Sequence, residues 1–135
     1  MTLSEVMHVH IPTLSLDATF RDAVDKMDIY QFPALVFVDN DKRPQAVISE
    51  GDLARAVSAK GDATGLSETK AIGYATTEPV VAKVDMEISD ALHLMLDRGL
   101  TCLPVTRDDI LVGIVLRVDL LQALITDAAS PLAED

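Results

Sequence analysis

The organisation of the chain is clearest in Ala46–Leu53, with the sequence AVISEGDL. Its apolar start predicts a strand that ends at Ile48 and continues without a loop into the first turn of a helix. Ser49 and Asp52 are N-cap-type residues three positions apart, where free backbone N–H groups and the positive end of the helix dipole emerge. This stretch therefore predicts a strand that carries two polar side chains to a helix N-terminus.

The same pattern returns in the second half of the chain as Gly113–Leu120, with the sequence GIVLRVDL. Its Asp-Leu pair lies 67 residues beyond the first one. Upstream, Asp17–Ala23 lines up with Asp85–Ala91 at an offset of 68, so the first copy carries one extra residue. A solenoid needs at least three stacked units. Two copies instead predict a closed domain with pseudo-two-fold symmetry.

Composition bounds the class of protein. The formal net charge of −11 argues against DNA or RNA binding over a broad surface, which needs clustered Lys and Arg. The single cysteine, Cys102, excludes an intrachain disulfide and fits a reducing cytoplasm. No apolar run approaches the roughly 18 residues of a membrane span, and the first residues lack the features of a secretory signal. We therefore expect a cytoplasmic domain with no membrane association.

Periodicity predicts two units, each with the order strand, helix, strand, strand, helix. Helices are predicted at about 50–60 and 117–127, and the first helix has this apolar face: Phe20, Ala23, Val24, Met27 and Tyr30. The predicted divisions are a first unit with an N-terminal lead-in at 1–62, a linker at 63–71, a second unit at 72–128 and a flexible tail at 129–135.

These repeats resemble the paired cystathionine-β-synthase (CBS) domain, or Bateman module, over about residues 6–127. The resemblance rests on the duplicated helix starts, the Leu103–Val105 strand, the Val112–Val115 strand and the Asp-Leu pairs. It implies an α/β (α+β) fold of two β-α-β-β-α units related by pseudo-two-fold symmetry, with small sheets packed against helices. It also implies homodimers formed by helix faces, and the four amphipathic helices offer more apolar surface than two small sheets cover.

The resemblance further implies regulation, including energy sensing, through AMP, ADP, ATP or S-adenosylmethionine bound in the cleft between the repeats. In that pattern Ser49 addresses the phosphate and Asp52 the ribose. Both roles are chemically sound, because a carboxylate accepts hydrogen bonds from a cis-diol and a helix N-terminus favours phosphate. The alternative is that the two residues only cap the helix. Carried over by position, the other ligand-binding residues are Ile48, Tyr74, Ala75, Thr76, Thr77, Thr101, Cys102, Leu103 and Pro104, for which ordinary packing is the alternative.

The second copy departs from this pattern. Leu116 stands where a hydroxyl residue is expected, and Phe37 of the first copy corresponds to Pro104 of the second. Asp119 and Arg117 remain as a second, weaker site. We therefore expect one tight nucleotide site in each chain.

Other chemistries have weaker support. The Asp39–Glu50 segment begins like a calcium loop but has Arg43 and Pro44 where an oxygen ligand and glycine are required. The pair His8 and His10 is too small a ligand set for zinc, and no activating arrangement accompanies Cys102. We expect no enzyme activity, metal or cofactor. The rival to the sensing function is a dimerising interaction scaffold with empty clefts, and in either case the protein partner is unknown.

Overall fold

The order of helices and strands follows the sequence prediction. The computed structural model describes residues 1–61 and 63–129. The strands are β1 (Thr13–Ser15), β2 (Ala34–Val38), β3 (Pro44–Ser49), β4 (Thr76–Thr77), β5 (Ala82–Lys83), β6 (Cys102–Arg107) and β7 (Ile110–Leu116). The α-helices are α1 (Phe20–Tyr30), α2 (Glu50–Lys60), α3 (Ala63–Leu66), α4 (Ile88–Arg98) and α5 (Arg117–Ala129), and two 3-10 helices cover Leu3–Glu5 and Ala71–Tyr74. Two small sheets packed with helices confirm the predicted mixed fold class.

The chain divides into two compact units, which we describe separately. The first unit comprises residues 12–80 with 109–111, and the second comprises 1–11, 81–108 and the described residues from 112 onward. Of the predicted tail at 129–135, Ala129 is the last residue of α5 and residues 130–135 lie outside the described residues, as does Asp62 at the end of the predicted first unit. No helix among the described residues is both long enough and apolar enough to cross a membrane.

A four-stranded sheet in the order β1-β2-β3-β4 forms the frame of the first unit. β1 runs parallel to β2, while β2–β3 and β3–β4 are antiparallel. Phe37 and Ile48 from this sheet are fully buried against apolar side chains of α1 and α2, including Phe20 and Leu53. Burial of such side chains contributes about 1.5–3 kcal/mol each, so the sheet and the two helices stabilise one another. This packing fixes the junction between β3 and α2.

The predicted apolar face of α1 is correct at its centre and wrong at its flanks. Phe20, Ala23 and Met27 are buried, whereas Val24 and Tyr30 are exposed. Helical periodicity locates the middle of an apolar stripe, but how much of the stripe is covered depends on the neighbouring elements. Val24 and Tyr30 therefore belong to a partly apolar surface.

The second unit has a three-stranded sheet in the order β5-β6-β7, with β5 parallel to β6. Helices α4 and α5 pack against each other. The N-terminal residues of the chain complete this unit, since Leu3 and Ser4 donate backbone hydrogen bonds to Met86 and Val84, each at 3.0 Å. His8 forms an antiparallel bridge with Ile114 of β7.

Each compact unit therefore contains a short segment that belongs to the other sequence repeat. Residues 1–11, which precede β1, pack in the second unit, while 72–80, at the start of the predicted second unit, pack in the first. The exchange is reciprocal in its details: Thr76 pairs with Val47, and the equivalent His8 pairs with Ile114. Backbone hydrogen bonding explains this arrangement, because each segment supplies the edge partner of the strand that leads into α2 or α5.

The segment predicted as a linker carries structure of its own. Leu66, at the end of the short helix α3, is buried in the core of the first unit. Thr69 accepts a backbone hydrogen bond from Phe20 at 2.8 Å, and Ala71 donates one to Ala18 at 2.9 Å. The segment that its glycine-rich composition predicted to be a linker is therefore hydrogen-bonded to the start of α1 and to the residue Ala18 before it.

Candidate functional site

Ser49 and Asp52 form a reciprocal capping box at the start of α2. Ser49 is the extended N-cap residue, and its Oγ accepts a hydrogen bond from the Asp52 backbone N–H at 3.2 Å. In return, Asp52 Oδ2 accepts from the Ser49 backbone N–H at 2.9 Å. Two backbone donors that the helix leaves without intrahelical partners are thereby satisfied, which stabilises the helix by about 1 kcal/mol. The capping interpretation of these residues is thus part of the structure.

The second oxygen of the same carboxylate faces outward. Asp52 Oδ1 accepts a hydrogen bond from Arg55 Nη2 at 2.7 Å, and the Arg55 side chain is 74% exposed. An ion pair with such an exposed partner contributes between 0 and about 1 kcal/mol. Asp52 itself is only 20% exposed, so its position is fixed while its partner is easily displaced. The capping box therefore fixes a carboxylate whose second oxygen is held only by an exposed side chain.

The structure places part of the predicted ligand wall in the same unit as this helix start. The 3-10 helix Ala71–Tyr74 lies against β3 and α2, and β4 pairs with β3 through Thr76–Val47 and Thr77–Ala46. The Tyr74 ring is half-buried and packs edge-to-face on Phe20, with ring centroids 5.6 Å apart. The predicted residues that the first unit contains are Ile48, Ser49, Asp52, Tyr74, Ala75, Thr76 and Thr77.

Their exposure separates these residues by role. Ile48 is fully buried in the core, so its side chain supports the sheet. Tyr74 and Ala75 are half-buried, and Thr76 and Thr77 are exposed. Thr76 and Thr77 are thus the most accessible members of the predicted wall in this unit.

The remaining wall residues belong to the second unit, around the start of β6. Thr101 is exposed, whereas Cys102, Leu103 and Pro104 are buried. Burial, with a smaller effect from the charge of Asp119, raises the pKa of the Cys102 thiol to about 12. The thiol is therefore protonated at neutral pH and is a poor nucleophile.

The helix start of the second repeat differs from the first. Asp119 Oδ2 accepts from the Leu116 backbone N–H at 2.8 Å, which repeats half of the capping box, but Leu116 has no hydroxyl to complete it. The same oxygen lies 2.9 Å from His8 Nε2. Arg117 is exposed at the first position of α5. The sequence analysis did not identify His8 as a neighbour of Asp119, because the two residues are 111 positions apart.

Two hollows of the first unit are not lined by Ser49 or Asp52. One, of about 400 Å³, lies where α1 ends and α2 begins and includes Phe32, Glu50 and Leu53. The other, of about 440 Å³, is bordered by Thr13, Lys26 and three aspartates of the first unit. Within residues 1–61 and 63–129, no group of three His, Cys, Asp or Glu side chains is arranged to hold a metal ion.

Two α+β units, each with a strand that leads into an acid-capped helix, define a duplicated module. The CBS domain family matches the chain twice, over residues 3–59 and 70–126. The chain therefore belongs to the CBS domain family, as the sequence resemblance predicted.

Individual relatives agree with this assignment. Arabinose 5-phosphate isomerase KdsD of Yersinia pestis is 31% identical over 125 residues, which are 91% of this chain and 37% of that protein. The chain thus spans little more than a third of that relative. The CBS-domain containing protein ATU1752 of Agrobacterium tumefaciens has a TM-score of 0.81 at 19% identity, covering 92% of this chain and 99% of that one. CBSX2, solved in complex with AMP, has a TM-score of 0.80 at 21% identity, covering 94% and 98%. At these identities the two structures show a shared fold.

Proposed function

We propose that this chain is a regulatory module that binds an adenosine nucleotide at the N-terminal end of α2. The observation that carries the proposal is the Asp52 carboxylate, which is fixed by the Ser49 backbone N–H while its second oxygen is held by an exposed arginine. The AMP complex of CBSX2 supports the adenosine class of ligand.

The chemistry of binding follows from the two oxygens. A ribose cis-diol would displace Arg55 from Asp52 Oδ1 and donate to the carboxylate, through charge-assisted hydrogen bonds of about 1.5–3 kcal/mol. The capping bond to Oδ2 would remain, so the helix start would keep its geometry. Ser49 would address the phosphate, because the helix N-terminus favours an anion there. Tyr74 and the threonines of β4 would line the same end of the unit.

Regulation would arise by linkage. A nucleotide that binds one conformation more tightly shifts the population toward it, and a partner protein can respond to that shift. Ser49 has its counterpart in Leu116, which offers no polar side-chain atom for a phosphate. We therefore propose one tight site per chain, at Ser49 and Asp52.

A ligand panel tests this function. AMP, ADP, ATP, S-adenosylmethionine and NADH are compared by thermal shift, and the best ligand is titrated by calorimetry. A ligand at 100 times its dissociation constant stabilises by about 2.7 kcal/mol, which corresponds to several degrees for a domain of this size. The expected result is a shift with at least one adenosine ligand and a stoichiometry near one per chain. The absence of any shift at millimolar concentration would contradict the proposal.

The second candidate function is a homodimeric interaction scaffold. An exposed apolar stripe on α5, formed by Val118, Leu121 and Ile125, favours this function, together with Leu96 on α4. Large apolar side chains grouped in this way mark interaction surfaces, and a second copy of the same chain is the common partner. A dimer that forms without any effect of nucleotide would favour the scaffold over the sensor.

A further inference from the structure

The N-terminal segment is joined to β7 by backbone hydrogen bonds. His8 donates a backbone hydrogen bond to Ile114 O at 2.8 Å, and Ile114 N–H donates back to His8 O at 3.0 Å. Gly113 permits this close approach, because a Cβ at that position would lie 2.7 Å from both His8 O and the Met7 sulfur. The backbone of His8 is therefore held at a defined point of the strand that leads into α5.

From this point the imidazole reaches the acidic residue of the second helix start. His8 Nε2 lies 2.9 Å from Asp119 Oδ2, and Asp119 is 18% exposed while His8 is 41% exposed. The same oxygen accepts the Leu116 backbone N–H. Oδ2 therefore accepts two hydrogen bonds already, so a ribose cis-diol that donates one hydroxyl to each carboxylate oxygen has to displace the imidazole from Oδ2.

The first repeat shows what the equivalent position looks like without an imidazole. Thr76 occupies the place of His8, since it pairs with Val47 as His8 pairs with Ile114. There the outer carboxylate oxygen of Asp52 is held by Arg55, an exposed side chain of the same helix. Arg55 reaches Asp52 through a long, exposed side chain, whereas the shorter side chain of His8 reaches Asp119 from backbone that is hydrogen-bonded to β7.

We infer that His8 determines which repeat accepts a nucleotide, by occupying Asp119 Oδ2 in the place of one ribose hydroxyl. This inference rests on the proposed function, because it assumes that the equivalent Asp52 receives the ribose. It adds a specificity determinant outside the duplicated helix starts. Opening the second site then requires release of the imidazole, and Leu116 only modulates how tightly a phosphate would bind there.

The test uses the full chain and replaces His8 with the residue at the equivalent position of the first repeat. His8→Thr installs the residue that the first repeat carries at this position, and His10→Thr, which changes an exposed histidine two positions away, is the matched control. Calorimetry with the best adenosine ligand should give one equivalent for the parent and for His10→Thr. His8→Thr should give two, and the second site should be at least roughly ten-fold weaker, because it lacks the phosphate contact of Ser49.

Each outcome decides the question. One equivalent for both the parent and folded His8→Thr would overturn the inference and leave the proposed function intact, as would a parent that already binds two. No binding to any of the chains would refute both. No binding to the parent but one equivalent for His8→Thr would support the block by His8 and refute the site at Ser49.

A second measurement does not depend on the folding of a variant. The side-chain resonances of His8 in the parent are followed by NMR during titration with the nucleotide. We expect the resonances of the α2 start to shift while the His8 ring resonances stay in place. A His8 shift that saturates with the first equivalent would show that the nucleotide enters the second site first, and would overturn the inference.

Discussion

Asp52→Ala separates the capping role of this carboxylate from its proposed role in binding. The chain supplies a matched control in Asp22, which forms the same reciprocal box with Thr19 at the start of α1. Both substitutions remove an acidic capping residue at the third position of an eleven-residue helix in the first unit. They differ in the predicted contact with ribose, which concerns Asp52 alone.

The expected magnitudes follow from the contacts. Each variant loses a capping interaction, so each should lower the free energy of unfolding by about 1 kcal/mol. The ion pair of Asp52 with the exposed Arg55 adds little to this loss. A domain with roughly 5–15 kcal/mol of stability remains folded after either change. For nucleotide binding, Asp52→Ala should weaken affinity by roughly ten- to hundred-fold, while Asp22→Ala should leave it unchanged.

Urea denaturation followed by calorimetric titration measures both quantities on the same samples. Equal losses of stability with unequal losses of affinity would support the ribose contact. If folded Asp52→Ala binds as tightly as the parent, Asp52 is a helix cap without a role in binding. If the two variants lose affinity equally, the loss reflects damage to the unit as a whole, and the ribose assignment is wrong.

Three further predictions concern stability and assembly. Burial raises the pKa of the Cys102 thiol from about 9 in the unfolded chain to about 12 in the folded one, so the free energy of unfolding falls as the pH rises above about 9. Cys102→Ala should remove this part of the fall, measured by urea denaturation at pH 7 and pH 10. Gly113→Ala should lower the unfolding free energy by about 1–3 kcal/mol, because its Cβ would lie 2.7 Å from a backbone oxygen, whereas Gly73→Ala has open space and should be nearly neutral in the same assay. Replacing the exposed Leu121 and Ile125 with Glu should leave a 14.5 kDa monomer in sedimentation velocity, where we expect the parent to be a dimer; a monomeric parent at tens of micromolar would contradict this.

The start of α2 was predictable because its determinants are local. The capping box joins residues three positions apart, so the spacing of Ser49 and Asp52 contains the necessary information. The same holds for the helix bounds of 50–60, which the structure confirms. Duplication strengthened each of these predictions, because the same pattern recurs in the same order at offsets of 67 and 68 residues.

The segment exchange and the contact of His8 with Asp119 were not predictable in this way. Repetition shows which residues are equivalent, but it does not show in which copy an equivalent segment packs. His8 exchanges backbone hydrogen bonds with Ile114 of β7, and Thr76 and Thr77 pair with β3. A long-range pair such as His8 and Asp119 leaves no periodic signal, because it depends on tertiary placement and on the small size of Gly113.

The two acidic helix starts differ in the partners of their carboxylates. Asp52 and Asp119 are equivalent in sequence, and both accept the backbone N–H of the residue three positions earlier. The two carboxylates differ in their side-chain partner: Arg55 of α2 donates to Oδ1 of Asp52, whereas His8, whose backbone is hydrogen-bonded to β7, lies on the capping oxygen Oδ2 of Asp119. Since the first backbone bond is common to both, helix capping alone does not distinguish the repeats. The distinction depends on the partner of the carboxylate, and in the second repeat that partner is supplied by the exchanged N-terminal segment, so nucleotide binding there would be coupled to how firmly that segment is held on β7.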